Sequence, residues 1–167
     1  MTTRTDPAPV VYRRRVQWGE GDPAHIVYTP RFLDFVMEAL EEWWRGVVGV
    51  DWYRLNMDLH MGAPVVHVEL DFSASVKPGD LLHLTVLVER LGRASVTFVV
   101  DARLEDGSDR FRSRVIVSMV DNRRMQAMPV PPEFRERIER YASACARVVP
   151  GGAEADSGDV VGVAGSQ

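Results

Sequence analysis

The sequence predicts an α+β fold in which an antiparallel sheet of about five strands wraps around one long central helix. Residues 30–47 repeat apolar side chains at helical spacing, whereas the segments between residues 66 and 119 alternate apolar and polar side chains. Sequences that favour turns separate these alternating segments. Only the helix at 30–47 is apolar enough to cover a face of the sheet, so we expect the sheet and this helix to pack together.

The 167 residues are expected to form one domain between two irregular ends. Residues 1–9 are assigned to a flexible N-terminal arm, 10–147 to the folded domain and 148–167 to a disordered tail. The tail is rich in Gly, Ala and Ser and has no aromatic residue. It therefore cannot bury enough surface to offset the entropy of ordering.

The charge and cysteine content exclude several classes of protein. The chain has 20 Lys and Arg against 24 Asp and Glu, a net charge of -4 that provides no global attraction for nucleic acid or an anionic membrane. Cys145 is the only cysteine, which excludes an intramolecular disulfide and a cysteine-based zinc site. His60, His67 and His83 are too dispersed to predict a metal site. Without a signal peptide or a long apolar run, the protein is expected to be soluble and cytoplasmic.

The first strand and the central helix have distinct signals. Residues 10–17 suit a strand, and Thr29 followed by Pro30 suits the N-cap and first residue of a helix. One face of that helix is apolar at helical spacing, with Phe32, Val36, Ala39, Leu40, Trp43 and Val47. Gly46 and Gly49 are predicted to end the helix.

Four strands and a last helix follow. The alternating segments are 66–72, 82–88, 96–104 and 111–119. The connections between them carry turn sequences, KPGD at 77–80, LGR at 91–93 and EDGS at 105–108, which favour an antiparallel meander. An amphipathic pattern over 132–146 predicts the terminal helix.

Asp22 stands in a Gly-Asp-Pro sequence between the first strand and the helix. An aspartate in this context is ordinarily a turn former or a surface charge. However, the N-terminus of the following helix presents unpaired N–H groups that can hold a developing oxyanion. A nearby carboxylate could then attack the carbonyl or deprotonate water, which is the chemistry of a hydrolase.

The string GDPAHIVYTPRF, followed by a long helix and four strands, resembles the 4-hydroxybenzoyl-CoA thioesterase branch of the hotdog-fold acyl-CoA thioesterases. The resemblance covers roughly residues 10–145 and implies the hotdog fold. It implies that Asp22 is the nucleophile or general base, and that the backbone N–H at Thr29 polarises the thioester carbonyl. The residues do not separate these two roles of Asp22.

The same resemblance implies the substrate contacts. Gly62 and Ala63, before Pro64, take the place of a segment that contributes to the acyl pocket. Arg90 and Arg93 take the place of basic residues that contact the phosphates of coenzyme A. The implied substrate is an acyl-CoA with a possible aromatic acyl group, and no separate cofactor is implied.

Two residues of the motif segment are further candidates for substrate binding. His25 replaces a glycine of the family motif, and either orients the substrate or packs as a loop histidine. Tyr28 either lines the acyl pocket or belongs to the core. Trp52 and Tyr53, in the connection after the helix, are candidates for a lid or wall of the acyl site.

Two other functions are compatible with the sequence. An enoyl-thioester hydratase can share the fold, but the asparagine of that pattern is absent here. A non-catalytic acyl-CoA-binding protein would use Asp22 only structurally. Because edge strands need protection from uncontrolled pairing, we also expect a homodimer or homotetramer. The resemblance implies that its active site lies at the subunit interface.

Overall fold

The computed structural model describes residues 9–148 of the chain. The predicted N-terminal arm and C-terminal tail, apart from residues 9 and 148, lie outside this range. The strands and α-helices are β1 (Val10–Arg15), α1 (Arg31–Trp43), β2 (Met61–Gly62), β3 (Val65–Phe72), β4 (Leu81–Leu91), β5 (Ser95–Leu104), β6 (Asp109–Ser118), β7 (Val120–Asp121), β8 (Gln126–Ala127) and α2 (Pro132–Val148). The predicted order of strand, central helix, four strands and terminal helix is confirmed.

The five long strands form one antiparallel sheet in the order β1-β4-β5-β6-β3. The predicted hairpins between β4 and β5 and between β5 and β6 are present. The meander prediction was wrong for β3, which pairs with β6 at the far edge of the sheet rather than with β4. β1 occupies the free edge of β4 instead, with Val10 opposite Val86. Turn chemistry at 77–80 therefore marks a crossover, because a turn signal does not state which strands pair.

The concave face of the sheet wraps α1 and forms the core with it. On the helix, Phe35, Val36, Ala39, Leu40 and Trp43 are fully buried. Buried side chains of the three central strands, which alternate along each strand, include Leu82, Leu84, Val86, Phe98, Val100, Val115 and Val117. The periodicities of both elements thus identify the same core, as the predicted α+β hotdog architecture requires.

The ends of α1 differ in detail from the prediction. The helix begins at Arg31, and Pro30 is its N-cap without a side-chain capping bond. The carbonyl of Thr29 accepts a hydrogen bond from the backbone N–H of Phe32 at 3.2 Å, so a tight turn precedes the regular helix. At the other end the helix continues as a π-helical turn through Gly46, and Gly49 ends it with a φ of 81°.

Short elements that the sequence did not predict surround the sheet. A three-residue 3₁₀ turn (Trp18–Glu20) follows β1, and a π-helical turn (Arg54–Asp58) lies in the connection after α1. β2, β7 and β8 form a small second sheet. Segments this short give no periodic signal in a sequence.

Among the described residues, 9–148, none of the helices has the length and apolar character that crossing a bilayer would require.

Candidate functional site

The Asp22 segment forms a tight loop between the 3₁₀ turn and α1. Gly21 and Val27 pair across the loop as an isolated antiparallel bridge. Inside it, the N–H of Asp22 donates to the carbonyl of Ile26 and the N–H of His25 donates to the carbonyl of Asp22, each at 2.9 Å. The backbone of this loop is therefore held by its own hydrogen bonds, although it contains neither helix nor extended strand.

Asp22 lies half-buried in this loop. Its Oδ1 accepts a hydrogen bond from the N–H of Ala24 at 2.8 Å, the pattern of an Asx turn. The other carboxylate oxygen has no hydrogen-bond partner in the part of the chain that the structure describes. The carboxylate is thus oriented by one bond and keeps one oxygen available for chemistry.

His25 occupies the left-handed region of backbone conformation, with a φ of 61°. This region favours glycine and is costly for other residues. The glycine that the family motif has at this position is thereby explained by backbone geometry. The imidazole is exposed, so the alternative of a packed loop histidine is wrong.

Thr29 lies between this loop and the first turn of α1. The N–H of the preceding residue, Tyr28, donates to the carbonyl of Glu20 at 2.9 Å. Across residues 9–148, by contrast, no acceptor receives the backbone N–H of Thr29. A free N–H therefore stands at the positive end of α1, in the same loop segment as Asp22. Tyr28 is 55% exposed, so it does not belong to the core.

A charged cluster anchors the start of this loop to the helix. Arg14, on the concave face of β1, donates to both carboxylate oxygens of Glu20, with the Nη1 to Oε2 distance 2.8 Å. Its Nε also donates to Glu38 of α1 at 2.6 Å. The guanidinium lies over the ring of Phe35, 3.8 Å from the ring centre. The cluster of Arg14, Glu20 and Glu38 thus joins β1, the 3₁₀ turn and the middle of α1.

The charges of this cluster stabilise one another. Burial opposes ionisation of Arg14, but the hydrogen bonds that it donates to Glu20 and Glu38 outweigh this effect and raise the pKa of the guanidinium. The hydrogen bond from Arg14 holds the pKa of Glu20 below its ordinary value, against the opposing effect of burial. Both groups are consequently ionised at neutral pH.

An apolar cavity of about 340 Å³ lies on the exposed side of α1. Its lining residues include Met37, Trp52, Ala63, Val65, Val120 and Met125. The polar part of its wall is an amide pair, in which Asn122 donates to Asn56 at 2.8 Å. This combination of an apolar lining and few polar groups is typical of a small-molecule site.

Gly62 allows close packing in the wall of this cavity. A Cβ at this position would come within 2.5 Å of the Asn122 side chain and 3.0 Å of Val120. The neighbouring Ala63 and Pro64 also line the cavity. The role of this segment in substrate binding stays a prediction.

A second depression connects the cavity to the loop. It shares Met37 and Trp52 with the cavity and extends to Glu20 and Arg31 near the start of α1. Four carboxylates, those of Glu20, Asp34, Glu38 and Glu41, line it. The loop, the acidic depression and the apolar cavity therefore follow one another along α1.

The structure does not bring all predicted site residues together. Asp22 and Thr29 share one loop segment, but neither lines the cavity beside Gly62. Arg90 lies at the end of β4, and Arg93 lies in the following turn; both side chains are exposed. The predicted substrate-binding set thus occupies three separate regions of one chain.

Sequence reasoning missed the residues of the charged cluster and the amide pair. The available signal for Arg14 was its place on the inward-facing side of an alternating strand, together with Tyr12 and Val10. For Asn56 and Asn122 no sequence signal existed, because the two are far apart in the chain and in irregular segments. Within the described range, no group of His, Cys, Asp and Glu has a geometry that could hold a metal ion.

The family model described as thioesterase-like superfamily matches residues 16–138. This chain belongs to the thioesterase-like superfamily. The match includes the Asp22 loop, α1 and the complete strand series β2 to β8. The predicted membership of the hotdog thioesterases is confirmed, as is the prediction of a thioester-hydrolysing enzyme.

Individual members of the thioesterase-like superfamily are similar over most of the chain. A thioesterase-superfamily structure from Jannaschia sp. CCS1 has 33% sequence identity and a TM-score of 0.75, covering 84% of this chain and 96% of that chain. A 1,4-dihydroxy-2-naphthoyl-CoA hydrolase from Acaryochloris marina is 24% identical, over 80% of this chain and 98% of its own length. The protein of the same name from Crocosphaera subtropica is 22% identical, over 77% of this chain and 87% of its own length.

Proposed function

We propose that this thioesterase hydrolyses an acyl-CoA to a free acid and coenzyme A, with Asp22 as nucleophile or general base. The observation that carries the proposal is the placement of the Asp22 carboxylate and the free N–H of Thr29 in one short loop at the N-terminus of α1. Hydrolysis of a thioester needs an activated oxygen and a donor for the oxyanion that develops on the carbonyl. The loop offers the Asp22 carboxylate for the first and the Thr29 N–H for the second.

Two routes are open to the carboxylate. In the first, Asp22 attacks the thioester carbon, the thiolate of coenzyme A leaves, and water then cleaves the resulting mixed anhydride. In the second, Asp22 takes a proton from water, which attacks the carbon directly. In both routes the Thr29 N–H and the dipole of α1 stabilise the oxyanion, an effect on the order of a few kcal/mol.

The acyl group is proposed to be aromatic and to occupy the apolar cavity. The cavity volume of about 340 Å³ suits a group of that size, and Trp52 and Met37 provide apolar surface for a ring. Two similar proteins are named as hydrolases of an aryl-CoA, 1,4-dihydroxy-2-naphthoyl-CoA. These names also favour hydrolysis over the hydratase and non-catalytic alternatives.

The coenzyme A end of the substrate is proposed to lie away from the acidic depression. Carboxylates in that depression would repel the phosphates. Arg90 and Arg93 remain the proposed phosphate contacts, and both are exposed. Pairing of two copies would bring regions that are separate in one chain into a shared site, so the proposed unit is at least a homodimer.

The proposed role of Asp22 is tested by free-thiol release from a panel of aromatic and aliphatic acyl-CoAs. Asp22→Asn keeps the shape of the side chain and is expected to lower kcat at least about 100-fold, because the amide can neither attack nor take a proton. Asp109→Asn is the matched control, because Asp109 is an exposed aspartate at the start of β6 that pairs with Arg103 rather than with a residue of the loop. An undiminished Asp22→Asn variant would contradict the mechanism, and an absence of turnover with every thioester would contradict the function.

The proposed role of Thr29 belongs to its backbone, and this distinguishes it from a side-chain contact. Thr29→Ala keeps the N–H and the start of α1, whose N-cap is Pro30. We expect kcat to stay within about threefold of the wild type, since no capping bond or oxyanion donor is lost. A fall as large as that of Asp22→Asn would show that the hydroxyl takes part instead.

A further inference from the structure

Arg14 on β1 contacts two other elements, the 3₁₀ turn and α1, and the superfamily membership assigns it no role. Its side chain is 11% exposed, and it binds Glu20 with two nitrogens and Glu38 with the third. The ring of Phe35 packs against the guanidinium plane. Arg14 is therefore fixed from two directions, by the β1 backbone and by α1.

Glu20 connects Arg14 to the Asp22 loop through both its side chain and its backbone. Its Oε2 accepts the N–H of Gln17 at 2.7 Å, which closes the 3₁₀ turn. Its backbone carbonyl accepts the N–H of Tyr28 at 2.9 Å, which closes the loop. Asp22 lies two residues after Glu20, and Thr29 follows Tyr28 directly. The position of Glu20 thus sets both ends of the segment that carries the carboxylate and the free N–H.

We propose that Arg14 is a positioning residue, which holds Glu20 against α1 and so fixes the Asp22 carboxylate relative to the Thr29 N–H. This inference rests on the proposed function of the loop. Arg14 touches neither Asp22 nor the cavity. Its effect on catalysis therefore passes through the geometry of the loop.

Electrostatic stabilisation alone does not explain why a charged cluster, rather than apolar residues, occupies this place. Removing charges from water is costly, and apolar residues of similar volume often replace buried ion pairs without loss of stability. What an apolar residue cannot provide is a planar group with donors in three directions, which fixes two carboxylates at a set angle. Arg14 uses this property on Glu20 and Glu38. The geometry of the cluster accordingly fits a role in orientation.

Amide hydrogen exchange tests the holding of the loop without reference to activity. In Arg14→Met, the N–H groups of Asp22 and Tyr28 are expected to exchange at least about tenfold faster. The N–H of Met119, which donates to the carbonyl of Ala94 at the opposite end of the sheet, is expected to keep its rate. Unchanged exchange at Asp22 and Tyr28, or equal acceleration at all three amides, would overturn the proposal.

A second variant covers the case in which Arg14→Met fails to fold. Arg14→Lys keeps the positive charge but concentrates it at one nitrogen, so it cannot bind both carboxylates as the guanidinium does. Its acceleration of exchange at Tyr28 is expected to be clear but smaller than that of Arg14→Met. Arg114→Met is the control, because Arg114 pairs with Glu89 at 2.7 Å, away from the loop. A lysine variant with wild-type exchange would overturn the proposal.

Kinetics with an acyl-CoA that the wild type hydrolyses then test the catalytic consequence. Arg14→Met is expected to lower kcat on the order of 10- to 100-fold, because small misplacements of reacting groups are costly. KM should stay within about threefold, since Arg14 contacts no substrate-binding residue. In an Asp22→Asn background the same change should cost less than about twofold, because a residue that acts through Asp22 has nothing left to position.

The outcomes separate the two proposals. Independent, multiplicative effects of Arg14→Met and Asp22→Asn would overturn the positioning role while leaving the thioesterase function intact. A wild type without thioester hydrolysis would overturn the proposed function. Hydrogen exchange would still decide in that case whether Arg14 holds the loop.

Discussion

At the scale of single residues, His25 is the point where the chain departs from the family motif and accepts an unfavourable backbone conformation. Its φ of 61° costs a residue with a Cβ about 1 kcal/mol, whereas glycine adopts it freely. We expect His25→Gly to be more stable than His25→Ala by about 1 kcal/mol in urea denaturation, because only glycine relieves the strain. Greater stability of the alanine variant would contradict this explanation.

The same two variants test whether the imidazole binds substrate. Both remove the ring, but only the alanine variant keeps the backbone strain. If the ring contacts the substrate, as predicted from the motif, KM should rise by a similar factor in both variants. A change restricted to one variant would indicate an effect of loop conformation instead.

The predictability of the site also varies from residue to residue. Asp22 and Thr29 could be identified because they stand in a local motif at the start of a helix signal. Arg14 and Glu38 are 24 residues apart, and their contact depends on how β1 lies across α1. A pairing of that kind has no local pattern, so it becomes visible only in the fold.

At the scale of elements, the segment between β3 and β4 shows why turn chemistry alone misassigned the topology. This crossover carries Pro78, which lies so close to Gly21 that a Cβ there would come within 2.9 Å of its ring. The N–H of Val27 donates to the carbonyl of Val76 in the same crossover at 2.8 Å. The KPGD sequence therefore supports the Asp22 loop rather than a hairpin. The central helix was predicted correctly because its periodicity extends over several turns.

The ion pair of the 3₁₀ turn gives a prediction of pH dependence. The pKa of Glu20 is lowered in the folded protein from its ordinary value of 4.5. A carboxyl with a depressed pKa contributes stability that is complete above its unfolded-state pKa and is lost as pH falls through the folded-state pKa. Glu20→Gln, which does not titrate, should therefore lower the free energy of unfolding at neutral pH. The deficit should shrink in acid.

The measurement is urea denaturation of the wild type and Glu20→Gln from about pH 7 to about pH 3. The difference in free energy of unfolding should be constant down to about pH 5 and should decrease below that. A difference that is independent of pH over the whole range would show that the pair with Arg14 does not contribute through its charge.

At the scale of the whole molecule, the two edges of the sheet differ, because the β1 edge is bound to α2 and the β3 edge is exposed. β1 is tied to α2, because Tyr141 donates to the carbonyl of Val86 and accepts the N–H of Val10 at 3.0 Å. β3, at the opposite edge, has no such cover among the described residues: Val66 is 60% and Val68 39% exposed. An edge with exposed valines is a surface for pairing with another copy. The sequence could predict an exposed edge but not which strand forms it, since that follows from the pairing of β3 with β6.

The proposed dimer can therefore be tested on this edge. Val66→Lys combined with Val68→Lys places two like charges on each copy of β3, and is expected to produce monomers because the charges oppose pairing and would have to be buried. Val11→Lys is the matched control, because Val11 lies on the other edge strand with a comparable exposure of 43%.

Sedimentation velocity should show a dimer or larger assembly for the wild type and control. Thioester hydrolysis should fall together with assembly, because the proposed site needs regions from two copies. A wild-type monomer would contradict the assembly, and an active monomeric variant would show that one copy holds the complete site.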